Sequence, residues 1–342
     1  MKKFLFFLII IVFICIAFKF FSNDTSVSES ISESNFYINI FNPKSLTNTF
    51  YQYDPRKNKS KTLLSKNMED YTSFAYSEDN NKLYFADGTT DNTIQLFEND
   101  LNTNQTKQLT IEFSSVDYIQ IDKEQKILFL RVLLRDEYKN FHIATYNLQT
   151  HKLEIWGEEN KDRSILDFNY NPNNNKLIVV SYSEKEDTEK LEKANNNHKL
   201  QPPKYSLDIY NIQGQKMKHI DTIEKFISGA SLAPDNSSVI VSYDEDINSS
   251  ISHVVEMDIE SNNMKPLLDS NGSYSKIRSV KFDEKKEGFY FLSSFIDEKK
   301  DYSVMEVPKE SMLSYYDLRK NEIRNVWKAE ESVIVNYSGE NF

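Results

Sequence analysis

The stretch Tyr76-Ser77-Glu78-Asp79-Asn80-Asn81-Lys82-Leu83-Tyr84-Phe85 runs from a polar turn straight into an apolar strand, and the chain repeats it. Copies begin at Ile121-Asp122-Lys123-Glu124-Gln125, Tyr170-Asn171-Pro172-Asn173-Asn174, Leu232-Ala233-Pro234-Asp235-Asn236 and Phe282-Asp283-Glu284-Lys285-Lys286. A last one stands at Tyr337-Ser338-Gly339-Glu340-Asn341. Each places a large apolar residue before a small or polar one, then residues of the Pro/Asp/Asn type that close tight turns.

A second turn alternates with the first. Its copies are Asp54-Pro55-Arg56-Lys57-Asn58, Asp100-Leu101-Asn102-Thr103-Asn104, Asn147-Leu148-Gln149-Thr150-His151, Asn211-Ile212-Gln213-Gly214-Gln215, Asp258-Ile259-Glu260-Ser261-Asn262 and Asp317-Leu318-Arg319-Lys320-Asn321. The first turn recurs at 76, 121, 170, 232, 282 and 337, close to the roughly 40–50 residues of a four-stranded propeller blade. In the unit around residue 76, strands A to D are expected near 71–76, 82–86, 93–98 and 106–110. Continuously apolar runs such as Ile127-Leu128-Phe129-Leu130 suit inner strands covered on both faces by neighbouring blades.

The ends complete each other. Residues 35–41 read as a strand B without its strand A, and residues 332–337 as a strand A without its strand B. Joining them removes two open sheet edges and makes the ring six-bladed. The expected fold is therefore an all-β, six-bladed propeller over 35–342, closed by pairing of the C-terminal strand with the first N-terminal strands.

Ahead of it, Met1-Lys2-Lys3 precedes an apolar run over residues 4–18, with Lys19 before Phe20 and Phe21. Residues 1–21 are expected to form a signal anchor or transmembrane helix with its basic end in the cytoplasm and the propeller outside. Secretion after cleavage near Ser26-Val27-Ser28 is the alternative. Residues 22–34, rich in Ser, Asp and Glu, read as a tether. The single cysteine, Cys15, follows bulky Ile14, which does not suit lipidation, and it leaves no partner for an internal disulfide.

The turn-then-strand units resemble the TolB-type β-propeller repeat, an aromatic, Ser, Pro, Asp, Gly, Lys and then alternate apolar residues. Leu232-Ala233-Pro234-Asp235-Asn236 and Tyr170-Asn171-Pro172-Asn173-Asn174 come closest; Asn, Gln or Lys stands where Gly is usual. The resemblance spans about 35–342 and implies an exported binding or scaffolding propeller. It carries over no catalytic residue.

A net charge of −11 disfavours nucleic acid as a partner. None of the five histidines pairs at metal-binding spacing, no Gly-x-Ser-x-Gly elbow occurs, and the 7 glycines are too scattered for a phosphate loop. Asp244-Glu245-Asp246 lacks the glycine of a calcium loop. No catalytic residue, metal or cofactor is therefore assigned. Two units are long: one carries an insertion over 184–203, placed between strands B and C, and the other has its excess near 308–314, at a B–C loop or a C–D turn. B–C loops share a face with the D–A connections, which carry Glu69-Asp70, Asp162-Arg163, Glu224-Lys225 and Glu330-Glu331. Asp70, Asp162, Arg163, Glu331, Glu184 and Lys190 are the candidate partner-binding residues. An acidic channel mouth there would suit a basic protein or peptide. The alternative is an enzyme acting on envelope polysaccharide from within the channel, for which strand A offers Asp117 and Asp167.

Overall fold

The computed structural model describes residues 34–67, 73–122, 124–196, 199–249, 251–271, 274–295 and 310–339. The expected anchor and tether lie outside these residues except for Ser34. Among the described residues no helix is long and apolar enough to cross a membrane.

Twenty-four strands form six antiparallel four-stranded sheets. The chain opens with β1 (Phe36–Asn42), β2 (Thr47–Asp54) and β3 (Lys59–Asn67). Blade 2 holds β4 (Phe74–Ser77), β5 (Lys82–Gly88), β6 (Ile94–Asp100) and β7 (Gln105–Gln108), within a few residues of the expected strands. Blade 3 holds β8 (Phe113–Ile121), β9 (Ile127–Leu134), β10 (Phe141–Asn147) and β11 (Leu153–Trp156). Blade 4 holds β12 (Arg163–Asn171), β13 (Lys176–Ser183), β14 (Tyr205–Asn211) and β15 (Lys216–Ile223), with helix α1 (Glu184–Asn195) between β13 and β14. Blade 5 runs through β16 (Phe226–Leu232), β17 (Ser238–Asp244), β18 (Ser252–Asp258) and β19 (Met264–Asp269). Blade 6 has β20 (Ser275–Phe282), β21 (Gly288–Phe295), β22 (Glu310–Asp317) and β23 (Glu322–Glu330). Finally β24 (Val333–Gly339) returns to pair with β1, from Phe36 opposite Gly339 to Phe41 opposite Val333. The ring closes as the sequence ends suggest, with β24 as strand A of blade 1.

Both recurring turns have a backbone reason. In the second turn the leading Asp or Asn accepts backbone N–H groups two to four residues on, as in Asp54 from Arg56 and Lys57, Asp100 from Asn102 and Thr103, and Asp317 from Arg319 and Lys320. The turn then passes through left-handed backbone at Asn58, Asn104, His151, Gly214, Asn262 and Asn321. The first turn does the same at Asn81, Gln125, Asn175, Asn236 and Lys286. Asn visits that region at low cost through its short polar side chain, which explains how these turns dispense with the usual glycine. A tyrosine five residues upstream holds several of these turns: Tyr76 and Tyr170 donate to Asn81 and Asn175 at 2.8 and 2.7 Å.

Packing follows blade geometry. Middle strands such as β13 and β21 are buried almost throughout, whereas outermost β7 is exposed along its length. Aromatic and branched side chains fill the space between blades, for example Phe50 against Phe74 and Phe129 against Tyr170, with centroids 5.0 and 5.2 Å apart. Gly229 lets the inner strands of blades 5 and 6 approach: a Cβ there would stand 2.8 Å from the Ser279 backbone nitrogen.

Candidate functional site

The propeller has two unlike faces. One carries the A–B and C–D turns just described. The other carries the B–C and D–A connections, and here the repeats diverge. The insertion after β13 forms α1, its N-terminus capped by Ser183 and its chain returning through buried Pro202 and Pro203. Of the second excess, placed near 308–314, residues 310–314 belong to β22 itself, so the extra length is in the B–C connection of blade 6 between β21 and β22, whose residues 296–309 lie outside the described residues.

Three of the predicted residues meet around α1. Asp162 accepts the Ser183 hydroxyl at 2.9 Å and the Lys185 backbone N–H at 2.8 Å, placing a carboxylate at the positive end of the helix. Glu184 is buried, accepts the Tyr182 hydroxyl at 3.1 Å, and has its pKa raised by that burial. Lys190 pairs with Glu186 at 2.9 Å and reaches Glu224 at 3.4 Å. Arg163 lies over the Tyr210 ring, 5.2 Å from its centroid. Glu331 stands apart and pairs with Lys44 at 2.6 Å, which holds its carboxyl below the usual range. Asp70 lies outside the described residues.

These pairings belong to a wider pattern. Asp91 meets Arg135 at 2.8 Å, Glu137 meets Lys161 at 2.6 Å, Lys199 meets Asp246 at 2.7 Å, and Lys225 pairs with Glu245. Lysines and arginines from adjoining connections thus compensate many of the acids that the sequence places on this face. Between them stand exposed apolar side chains: Tyr138 at 88% exposure, Ile111 at 66%, and Leu46, Leu191, Ile247 and Ile251. Leu46 also has left-handed backbone, a conformation that costs a branched L-residue about 1–2 kcal/mol. Six of the eight exposed large apolar side chains among the described residues thus lie on this face; the other two, Met217 and Met264, follow C–D turns at the start of β15 and β19.

The channel is built differently. Asp117 on β8 is held by Arg131 of β9 through two parallel bonds, 2.7 Å at Nε and 2.5 Å at Nη2. Arg131 also donates to the Leu166 carbonyl of blade 4 and covers the Phe141 ring at 4.7 Å. Asp167 on β12 lies deep among protein atoms, and burial pushes its pKa up to about 6 against the pull of Arg131, the Phe168 N–H and Lys281. Lys281 on β20 is pushed the other way by burial, down to about 8. Sequence reasoning had found Asp117 and Asp167. It missed Arg131 and Lys281, which sit inside otherwise apolar strands (Leu130-Arg131-Val132, Val280-Lys281-Phe282); a lone cation there was the available signal.

Those shifts give stability a shape. A carboxyl raised in the folded state adds stability below its unfolded pKa, and that contribution is lost as pH rises through about 6. A lysine lowered to about 8 carries its penalty below that pH and sheds it as pH climbs toward its unfolded value. Unfolding free energy, followed by urea titration, is expected to fall between about pH 4 and 6 by on the order of 2 kcal/mol and to recover above about pH 8. In Asp167→Asn the acid-side decline should shrink, the remainder coming from other carboxyls raised by burial such as Glu184.

A cavity of about 200 Å³ opens from the channel onto the turn face. Lys281, Tyr118, Tyr337 and Asn336 line it, and Glu78, Asp122 and Glu284 stand among the lining residues from the turns.

Comparison with known proteins places the fold in a class. No family model matches the chain. In fold it is similar to TolB propellers: to TolB from Acinetobacter baumannii with a TM-score of 0.57 and 14% identity, over 90% of this chain and 68% of that one. To a putative TolB from Agrobacterium tumefaciens the TM-score is 0.55 with 10% identity, over 91% and 99%. An oligogalacturonate lyase in complex with manganese is also similar, at a TM-score of 0.50 and 12% identity over 85% and 77%. In sequence the chain is 21% identical over 280 residues to the uncharacterized protein YdjN of Bacillus subtilis (strain 168), covering 80% of each. Among the described residues no group of three or more His, Cys, Asp or Glu side chains is placed to hold a metal ion.

Proposed function

We propose that this chain is a protein-binding propeller without catalytic activity of its own, which docks its partner on the face of the B–C and D–A connections. The observation that carries this reading is the concentration on that face of six of the eight exposed large apolar side chains among the described residues, amid lysine– and arginine–carboxylate pairs that brace neighbouring loops. Apolar anchors within a polar, charge-paired surround are the composition of protein interfaces. The net charge of −11 favours a basic partner and a salt-sensitive association rate. The likeness to TolB propellers supports a binding role at the level of fold. The apolar segment over residues 4–18 would hold the propeller on the extracytoplasmic side of a membrane, within reach of envelope proteins.

The test is a comparison of captured proteins. The full chain and the double variant Tyr138→Ser, Ile247→Ser are used as bait in membrane extracts at low and high salt. Both positions are exposed, so unfolding midpoints should agree within about 0.5 kcal/mol. A partner retained by the parent and weakened at least about tenfold by the variant supports the reading. Equal retention by both would refute it.

A further inference from the structure

The channel cavity at the turn face has a chemistry the docking face does not share. Lys281 is only 6% exposed, and its ammonium donates one hydrogen bond, to the Tyr337 carbonyl at 2.9 Å. The ammonium also stands over the Tyr337 ring, 4.7 Å from its centroid, and of its three donors two have no oxygen acceptor beside the cavity that Lys281 lines. Among the described residues no carboxylate lies within ion-pair distance of it; Asp167 acts on it only over longer range. Tyr118 adds a third donor. Its phenol oxygen accepts the Gln120 side-chain amide at 3.0 Å, which leaves its own proton to give away. A buried cation and a buried hydroxyl with spare donors are costly to keep unless something accepts from them.

We propose that this cavity binds a small carboxylate-bearing ligand, whose carboxylate accepts from Lys281 and the Tyr118 hydroxyl while its body lies against the rings of Phe74, Tyr76, Tyr170 and Tyr337. The volume, about 200 Å³, falls below the roughly 300–1,000 Å³ of drug-sized sites and suits a ligand of monosaccharide or amino-acid size. One ammonium matches one negative charge. A phosphate dianion would leave excess charge facing the lining carboxylates of Glu78, Asp122 and Glu284, so a monoanion fits better. The aromatic walls offer apolar contact for the ligand's body, the hydroxyls of Tyr76, Tyr170 and Tyr337 being already committed to Asn81, Asn175 and the Ser279 carbonyl. This site is independent of the docking face, and neither stands or falls with the other.

Calorimetric titration of the purified full chain tests it with two matched pairs of probes. D-glucuronate is compared with D-glucose, and N-acetyl-alanine with its amide. At least one acid is expected to bind with Kd below about 1 mM, with its neutral counterpart weaker by at least about tenfold. The pair that shows the difference distinguishes a sugar acid from a peptide carboxylate. Lys281→Met should weaken the acid at least about tenfold, and Tyr118→Phe, which keeps the ring and removes only the donor, by about threefold to tenfold. The acid–neutral comparison needs no variant, so a poorly folding Lys281→Met does not blunt it. Failure of both acids to bind up to about 10 mM, or equal binding of acid and neutral forms, overturns the proposal.

Discussion

Deletion of residues 333–342 is expected to abolish the cooperative unfolding of the propeller. Strand β24 is the innermost strand of blade 1 but arrives from the far end of the chain, so it fastens the first blade to the last. Its loss unpairs one whole edge of β1 and removes Ile334 and Tyr337, both essentially inaccessible to solvent. It also removes acceptors for distant groups: the Tyr337 carbonyl takes Lys281 at 2.9 Å, and the Ile334 carbonyl takes Arg278 at 2.8 Å. Burying two such side chains contributes about 3–6 kcal/mol, a large part of the 5–15 kcal/mol that stabilises a typical domain. Thermal or urea unfolding followed by circular dichroism should show a broad, non-cooperative change in the deleted form. The single substitution Ile334→Ala should keep a sharp transition, lowered by about 2–5 kcal/mol. A cooperative transition near the parent midpoint after deletion would mean that the ring does not depend on this closure.

The second large effect concerns the channel. Arg131→Met is expected to destabilise the protein by about 2–3 kcal/mol, less than the roughly 3–5 kcal/mol of a fully buried pair because the Asp117 side chain is 28% exposed. Three contacts go at once: the paired bonds to Asp117, the bond to the Leu166 carbonyl and the Phe141 ring contact. The Leu166 bond joins blade 3 to blade 4, so part of the loss is inter-blade. Adding Asp117→Leu removes the stranded carboxylate, and the double variant should recover at least about 1 kcal/mol. Urea midpoints of the parent, both single variants and the double variant complete the cycle; purely additive losses would show that the two side chains do not act as a pair.

Architecture was legible because turn chemistry repeats more faithfully than strand chemistry. The leading Asp or Asn of the second turn has one job, accepting backbone N–H groups, and few residue types can do it; hence the same letters recur at Asp54, Asp100, Asp258 and Asp317. Strands need only to be apolar and branched or aromatic, and their letters drift. The site was harder to read. Glu331 looked like a free acid in the sequence but pairs with Lys44, which is 287 residues away, and Asp162 braces the start of a helix that begins two strands later. Charge compensation between loops of different blades depends on the closed ring, so no local window contains it. Lys281 escaped notice for the same reason: its solitude follows from what the other inner strands fail to place beside it. The exposed Tyr138 and Ile247 are ordinary letters until the fold sets them on one face.

The most direct test of the account places a photoreactive amino acid at one of two positions in the full chain, Tyr138 on the connection face or Asn80 on the turn face, both exposed. Irradiation in intact cells should give a discrete protein adduct from position 138 and none from position 80. An adduct from position 80 alone would contradict the assignment of the docking face.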